Sequence, residues 1–157
     1  MDPTSMYQEI ILDHYREKHN SGLREPFEAE VHHVNPTCGD EVSLRVTLEE
    51  PGEHVADISY EAQGCSISQA SASIMSDLLI GQPVSTAVVR YAEFQQLMEG
   101  QGRIVPNEDT LEDAIAFAGV AQFPGRVKCA MLAWVAMRDA LIRAGAWTNE
   151  TTEDAAK

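Results

Sequence analysis

Residues 42–62 read VSLRVTLEEPGEHVADISYEA, and their spacing decides the fold. Val42, Leu44, Val46 and Leu48 alternate with Ser43, Arg45, Thr47 and Glu49, the period-two pattern of a strand with one buried face. Pro51-Gly52-Glu53 breaks the run as a turn. From Val55 to about Ala62 the alternation resumes, with Ile58, Tyr60 and Ala62 in phase. Strands joined by so short a turn pair as an antiparallel hairpin. Residues 29–34 supply a further strand just upstream.

On either side of the strands the period becomes helical. Ser5 and Gln8 have the spacing of a capping box, followed by a helix from Met6 to about Lys18 that ends at Asn20-Ser21-Gly22. Ser66 to Ile80 carries Ile67, Ala70, Ile74 and Leu78 on one stripe and stops at Gly81. Ser85 to Met98, Thr110 to about Gly119 and Arg126 to Ala144 complete the helices. Most helices follow the strands, which predicts an α+β protein: a small antiparallel sheet of about three strands covered on one face by helices. Residues 1–157 read as one domain, without repeats or a dividing linker, and with a frayed acidic tail at about 148–157.

The net charge of −14 argues against nucleic-acid binding, which needs a basic face, and against an anionic membrane surface. No run approaches the roughly 18 apolar residues of a spanning helix. The start, MDPTSMYQEI, lacks the basic and apolar regions of a signal peptide, so a cytoplasmic, reducing location is expected. In that setting three cysteines point to metal ligands or reactive thiols rather than disulfides.

All three cysteines fall at element boundaries. Cys38 lies in the turn sequence Asn35-Pro36-Thr37-Cys38-Gly39-Asp40, Cys65 follows Gly64 between a strand and a helix, and Cys129 comes just after Phe123-Pro124-Gly125. A thiol near a helix start favours its thiolate form, and Arg126 and Lys128 add positive charge beside Cys129. Each cysteine taken alone is equally well a buried free thiol. If the three converge with Asp40, three thiolates and a carboxylate suit tetrahedral zinc, and Arg126 is placed to offset the excess negative charge. An oxygen ligand in a sulfur-rich set is unusual for a purely structural zinc module. His32 and His33 are competing ligands, but neighbouring strand residues face opposite ways, so at most one could point at the site. Both are expected on a sheet face or in solvent, and His14, His19 and His54 at the surface. The serines at 66, 68, 71, 73 and 76 are read as small residues that let a helix pack closely on the sheet.

Three motifs, NPTCGD at 35–40, GCSIS at 64–68 followed by QASASIM, and FPGRVKCAMLAW at 123–134, together resemble the U-type proteins of iron–sulfur cluster assembly, which include IscU and the NifU N-terminal domain. The likeness runs from about Met6 to Leu141. Scaffold members of that family carry a ligating His immediately before the third cysteine, where this chain has Lys128; the SufU-like branch lacks that His and has a helical insertion, which the stretch from about Tyr91 to Asp113 resembles. The resemblance therefore implies a zinc-dependent sulfurtransferase with Cys38, Asp40, Cys65 and Cys129 as zinc ligands. It implies Cys38 as the sulfur acceptor, a SufS-like cysteine desulfurase as donor and a downstream iron–sulfur assembly complex as recipient. The alternative reading is a scaffold that holds a nascent iron–sulfur cluster on the same residues.

Overall fold

The computed structural model describes residues 3–36, 39–49 and 53–147. Helix α1 spans Pro3–Glu17 and is followed by strands β1 (Ala29–Asn35), β2 (Asp40–Glu49) and β3 (His54–Gln63). Helices α2 (Ser66–Leu79), α3 (Val84–Glu99), α4 (Glu108–Leu111) and α5 (Pro124–Arg143) come after the sheet, with two 3₁₀ segments, Glu112–Ala118 and Val120–Gln122, ahead of α5. The sheet is antiparallel in the order β1-β2-β3, with Leu44 opposite Val31 on one side and Tyr60 on the other.

The alternation in β2 sets the layers. Val42, Leu44 and Val46 are buried beneath the helices, with α5 against β1 and β2 and α2 against β3. Arg45 points away from that layer, pairs with Glu30 at 2.9 Å and lies over the Phe27 ring at 4.2 Å. The unpaired edge of β3 is covered by a short strap. Gly22 N–H donates to Tyr60 O at 2.7 Å, and Arg24 makes a forked contact with Asp57 at 2.8 and 2.6 Å. A strap of this kind satisfies backbone groups that would otherwise be open to another strand.

Three helical expectations change. The first helix begins at Pro3, so Ser5 lies inside it and is not its cap. Residues 110–119 form the end of the short α4 and a 3₁₀ segment instead of one α-helix, because Glu112 takes φ +46°, a left-handed conformation that ends the α-helical hydrogen bonding. The last helix begins two residues earlier than read, at Pro124, whose fixed φ suits a first helical position. The Pro51-Gly52 part of the hairpin turn and the tail at 148–157 lie outside the described residues.

The stretch between the second and third cysteines is welded into the core by aromatic contacts. Phe94 of α3 stacks on Trp134 of α5 with ring centres 4.4 Å apart, and Phe117 meets Phe94 edge-on at 5.8 Å. All three side chains are fully buried. Phe94→Ala is therefore expected to cost the whole domain about 3–5 kcal/mol. Chemical denaturation followed by far-UV circular dichroism should show one transition at lower denaturant, not a separate early melting of α3.

Candidate metal centre

Asp40 opens β2 in phase with Val42, Leu44 and Val46, so its carboxylate points into the helix-covered side and is completely buried. A buried carboxylate needs hydrogen-bond donors or a cation. The start of α2 supplies donors: Cys65 N–H donates to Asp40 Oδ1 at 2.9 Å, and the Ser68 hydroxyl donates to Oδ2. The Cys65 thiol also donates to Oδ2, at 3.4 Å. The positive end of the α2 dipole faces the same carboxylate.

Gly64 makes this approach possible. It holds φ at +132°, and a Cβ there would lie 1.9 Å from Asp40 Oδ1 and 2.9 Å from Asp40 Cα. Both the conformation and the missing atom are required. Gly39 has φ +74° and donates its N–H to Asn35 O at 2.8 Å, closing the turn between paired residues Asn35 and Asp40.

Cys129 enters from α5. It is the sixth residue of that helix and is buried. Because it lies beyond the first turn, the helix dipole acts on it less than the sequence suggested. Asp40, Cys65 and Cys129 bring one oxygen and two sulfur atoms within 4.8 Å of one another. Cys38 and Thr37 lie outside the described residues. Arg126 lines an open depression with Cys129, Phe123, Pro124 and Gly125, whereas exposed Lys128 is not among its walls.

The donor set fits a zinc ion. Zinc–sulfur bonds of about 2.3 Å place two ligating sulfurs about 3.7 Å apart, so the group needs only a small contraction to close on a metal. Cys65 Sγ already faces the Asp40 carboxylate, where a cation would lie between them. Ser68, which the sequence suggested only for packing, is a direct partner of the carboxylate. Its signal was its position three residues after Cys65, one helical turn away.

The histidines are engaged elsewhere. His32 contacts Ser43 Oγ at 2.8 Å, and His33 contacts Asp139 Oδ2 at 2.8 Å. His14 is buried, contrary to the surface position expected, because α1 lays this side chain against Ser73 of α2. The other α2 serines also do more than fill space: Ser71 donates to Ala130 O of α5 at 2.6 Å, and Ser76 donates to Ser73 O at 2.8 Å.

Residues 6–130 match the family of NifU-like N-terminal domains. The chain belongs to that family. Among NifU-like relatives, the chain is 38% identical over 138 residues to a protein of Streptococcus pyogenes serotype M1 named iron–sulfur cluster assembly scaffold protein IscU, an alignment spanning 88% of this chain and 84% of that one. It is also 38% identical over 134 residues to the zinc-dependent sulfurtransferase SufU of Bacillus subtilis strain 168, covering 85% of this chain and 87% of the relative. A crystal structure described as a putative iron–sulfur cluster assembly scaffold protein for the SUF system, from Fervidobacterium islandicum AW-1, superposes with a TM-score of 0.78. That structure is 32% identical, and the match covers 87% of this chain and 97% of that chain. This NifU-like domain therefore has the α+β fold of the family and belongs to iron–sulfur cluster assembly, with scaffold and sulfurtransferase relatives equally similar in sequence. No helix among its described residues is long and apolar enough to cross a membrane.

Gly64→Ala is expected to destabilise the domain by about 1–3 kcal/mol through the forced left-handed residue and the displaced carboxylate. Gly125→Ala, where an added Cβ meets nothing within 4 Å, should leave the melting temperature unchanged or slightly raised. Thermal melts of the two variants beside the parent check the contrast.

Proposed function

We propose that this protein is a zinc-dependent sulfurtransferase of iron–sulfur cluster assembly, taking persulfide sulfur from a cysteine desulfurase and passing it to the assembly machinery. The observation that carries this reading is the convergence of Asp40, Cys65 and Cys129, with Cys38 two residues from Asp40 in the chain. That spacing limits the Cys38 and Asp40 α-carbons to a separation of about 7 Å. Lys128 immediately before Cys129 supports a sulfurtransferase over a scaffold, because lysine is protonated near neutral pH and is a poor metal ligand. The B. subtilis relative named as a zinc-dependent sulfurtransferase supports it further.

Asp40, Cys65, Cys129 and Cys38 would hold the zinc. Bound there, zinc keeps thiols deprotonated and joins a strand end to two helices. Asp40 keeps its orientation through Cys65 N–H and Ser68, and the exposed guanidinium of Arg126 offsets negative charge at the Cys129 side. In the transfer step the Cys38 thiolate attacks the outer sulfur of the desulfurase persulfide. A new sulfur–sulfur bond forms on Cys38, the donor's sulfur–sulfur bond breaks, and its electron pair leaves with the desulfurase cysteine as thiolate. No external oxidant or reductant is needed. Cys38 is the acceptor because it stands in turn sequence between Pro36 and Gly39, whereas Cys65 occupies the N-cap position of α2 and Cys129 lies inside α5.

Protein purified anaerobically without added metal is expected to carry one zinc per chain and no iron–sulfur chromophore. A coloured cluster without zinc would favour the scaffold. Cys38→Ser should abolish sulfur acceptance while the protein stays folded. Alkylation trapping with mass spectrometry should place the extra sulfur on Cys38; finding it on Cys65 or Cys129 sinks the assignment. The net charge of −14 further predicts that association with the desulfurase slows as salt rises, measurable by stopped-flow mixing at several ionic strengths.

A further inference from the structure

At the opposite end of α2 a second group of metal-binding side chains comes together. His14 of α1, His19 just beyond it and Asp77 of α2 place one ligand atom each within 4.8 Å of one another. Asp77 is twelve residues after Cys65, which puts it ~18 Å away along the helix axis. This group is therefore separate from the thiolate centre.

Each of its members is held in place by a neighbour. His14 Nδ1 meets Ser73 Oγ at 2.8 Å, and its Nε2 faces Asp113 Oδ2 at 3.2 Å. Ser73 Oγ also accepts the His19 backbone N–H at 2.9 Å, which ties the second imidazole to the same helix turn. In the tautomer that donates Nδ1–H to Ser73, His14 would offer Nε2 as its ligating atom, the arrangement common behind metal-bound histidines. Asn20 Nδ2 donates to Asp77 Oδ1 at 3.2 Å, leaving Oδ2 against His19 Nδ1. The two rings lie 4.8 Å apart, tilted by 57°.

The charge of the group calls for a cation. Glu17, Asp77 and Asp113 converge on two imidazoles, with Glu17 Oε2 2.6 Å from His19 Nε2. Among the described residues, the ion-pair partners of these three carboxylates are the two histidines alone. A divalent ion among these side chains would offset the three carboxylates.

We propose that His14, His19 and Asp77 form a second metal site, for a divalent first-row transition cation, at the end of α2 remote from the cysteines. Two imidazoles and a carboxylate select this class over magnesium or calcium, which prefer all-oxygen ligands. Glu17 and Asp113 stand beside the ion as further carboxylates. His19 and Asp77 are partly exposed, with side-chain exposures of 37% and 43%, so the ion can enter from solvent and exchange.

Cobalt(II) titration of the zinc-loaded protein under anaerobic conditions tests this. A second equivalent is expected, with the ligand-field absorption of nitrogen and oxygen coordination, no sulfur-to-cobalt charge-transfer band and no release of zinc. The ring-proton resonances of His14 and His19 should undergo paramagnetic shifts. His19→Gln and Asp77→Asn should each weaken this second event at least about 100-fold, the upper end of the effect of losing even an outer partner. Both variants should keep their zinc content and far-UV circular dichroism. Three results overturn the site: saturation without a second equivalent, cobalt uptake that only displaces zinc with thiolate bands, or a second equivalent that survives in both variants.

Discussion

The buried carboxylate of Asp40 is the constraint around which the cysteine end of the molecule is arranged. A strand row that otherwise carries valine and leucine begins with an acid, and that acid is sealed from water. An unpaired charge in such a position would cost several kcal/mol, enough to rival the stability of the whole domain. The neighbouring chain answers it on three sides. Gly64 withdraws its side chain, Cys65 offers an N–H, and Ser68 offers a hydroxyl from one turn further along α2. The strand end, the sheet-to-helix junction and the helix start must therefore be positioned together.

The sequence makes the strands legible because their signal is local. Alternation from Val42 to Leu48 needs no knowledge of distant partners, and the hairpin follows from turn length. Asp40 was singled out by its place two residues after Cys38 and by the family resemblance, and the structure adds that it lies in phase with the apolar row. Residues 110–119 were misread because the left-handed Glu112 leaves no mark in apolar spacing. His14 was misread for a different reason. Its burial depends on where α1 crosses α2, and an isolated helix pattern does not encode a crossing point. The convergence of Cys65 and Cys129 belongs to this second kind: Cys65 follows β3, Cys129 lies well inside α5, and only tertiary packing joins them.

Helix α2 links two clusters of polar side chains in a small domain. Its buried side mixes serines and alanines with Ile74, Met75, Leu78 and Leu79, and the small residues let α1, α5 and the sheet approach closely. The serine hydroxyls then serve as connectors: Ser68 to the strand carboxylate, Ser71 to α5 and Ser73 to both histidines of the α1 end. Rigidity along this one helix keeps the two groups apart while fixing each of them. A core filled only with leucine or phenylalanine would pack as well but could not direct those polar groups.

The strap over β3 has a consequence for how copies of the chain meet. Residues 20–24 run directly on from α1, and they are fastened to β3 through Gly22 and Arg24 and to α2 through Asn20. An N-terminal helix on a loose tether is the sort of element that molecules exchange to form intertwined dimers. Here the tether is itself the sheet's edge guard, so lending α1 to a neighbour would also uncover an open strand. The same few hydrogen bonds thus oppose domain swapping and edge-to-edge aggregation together.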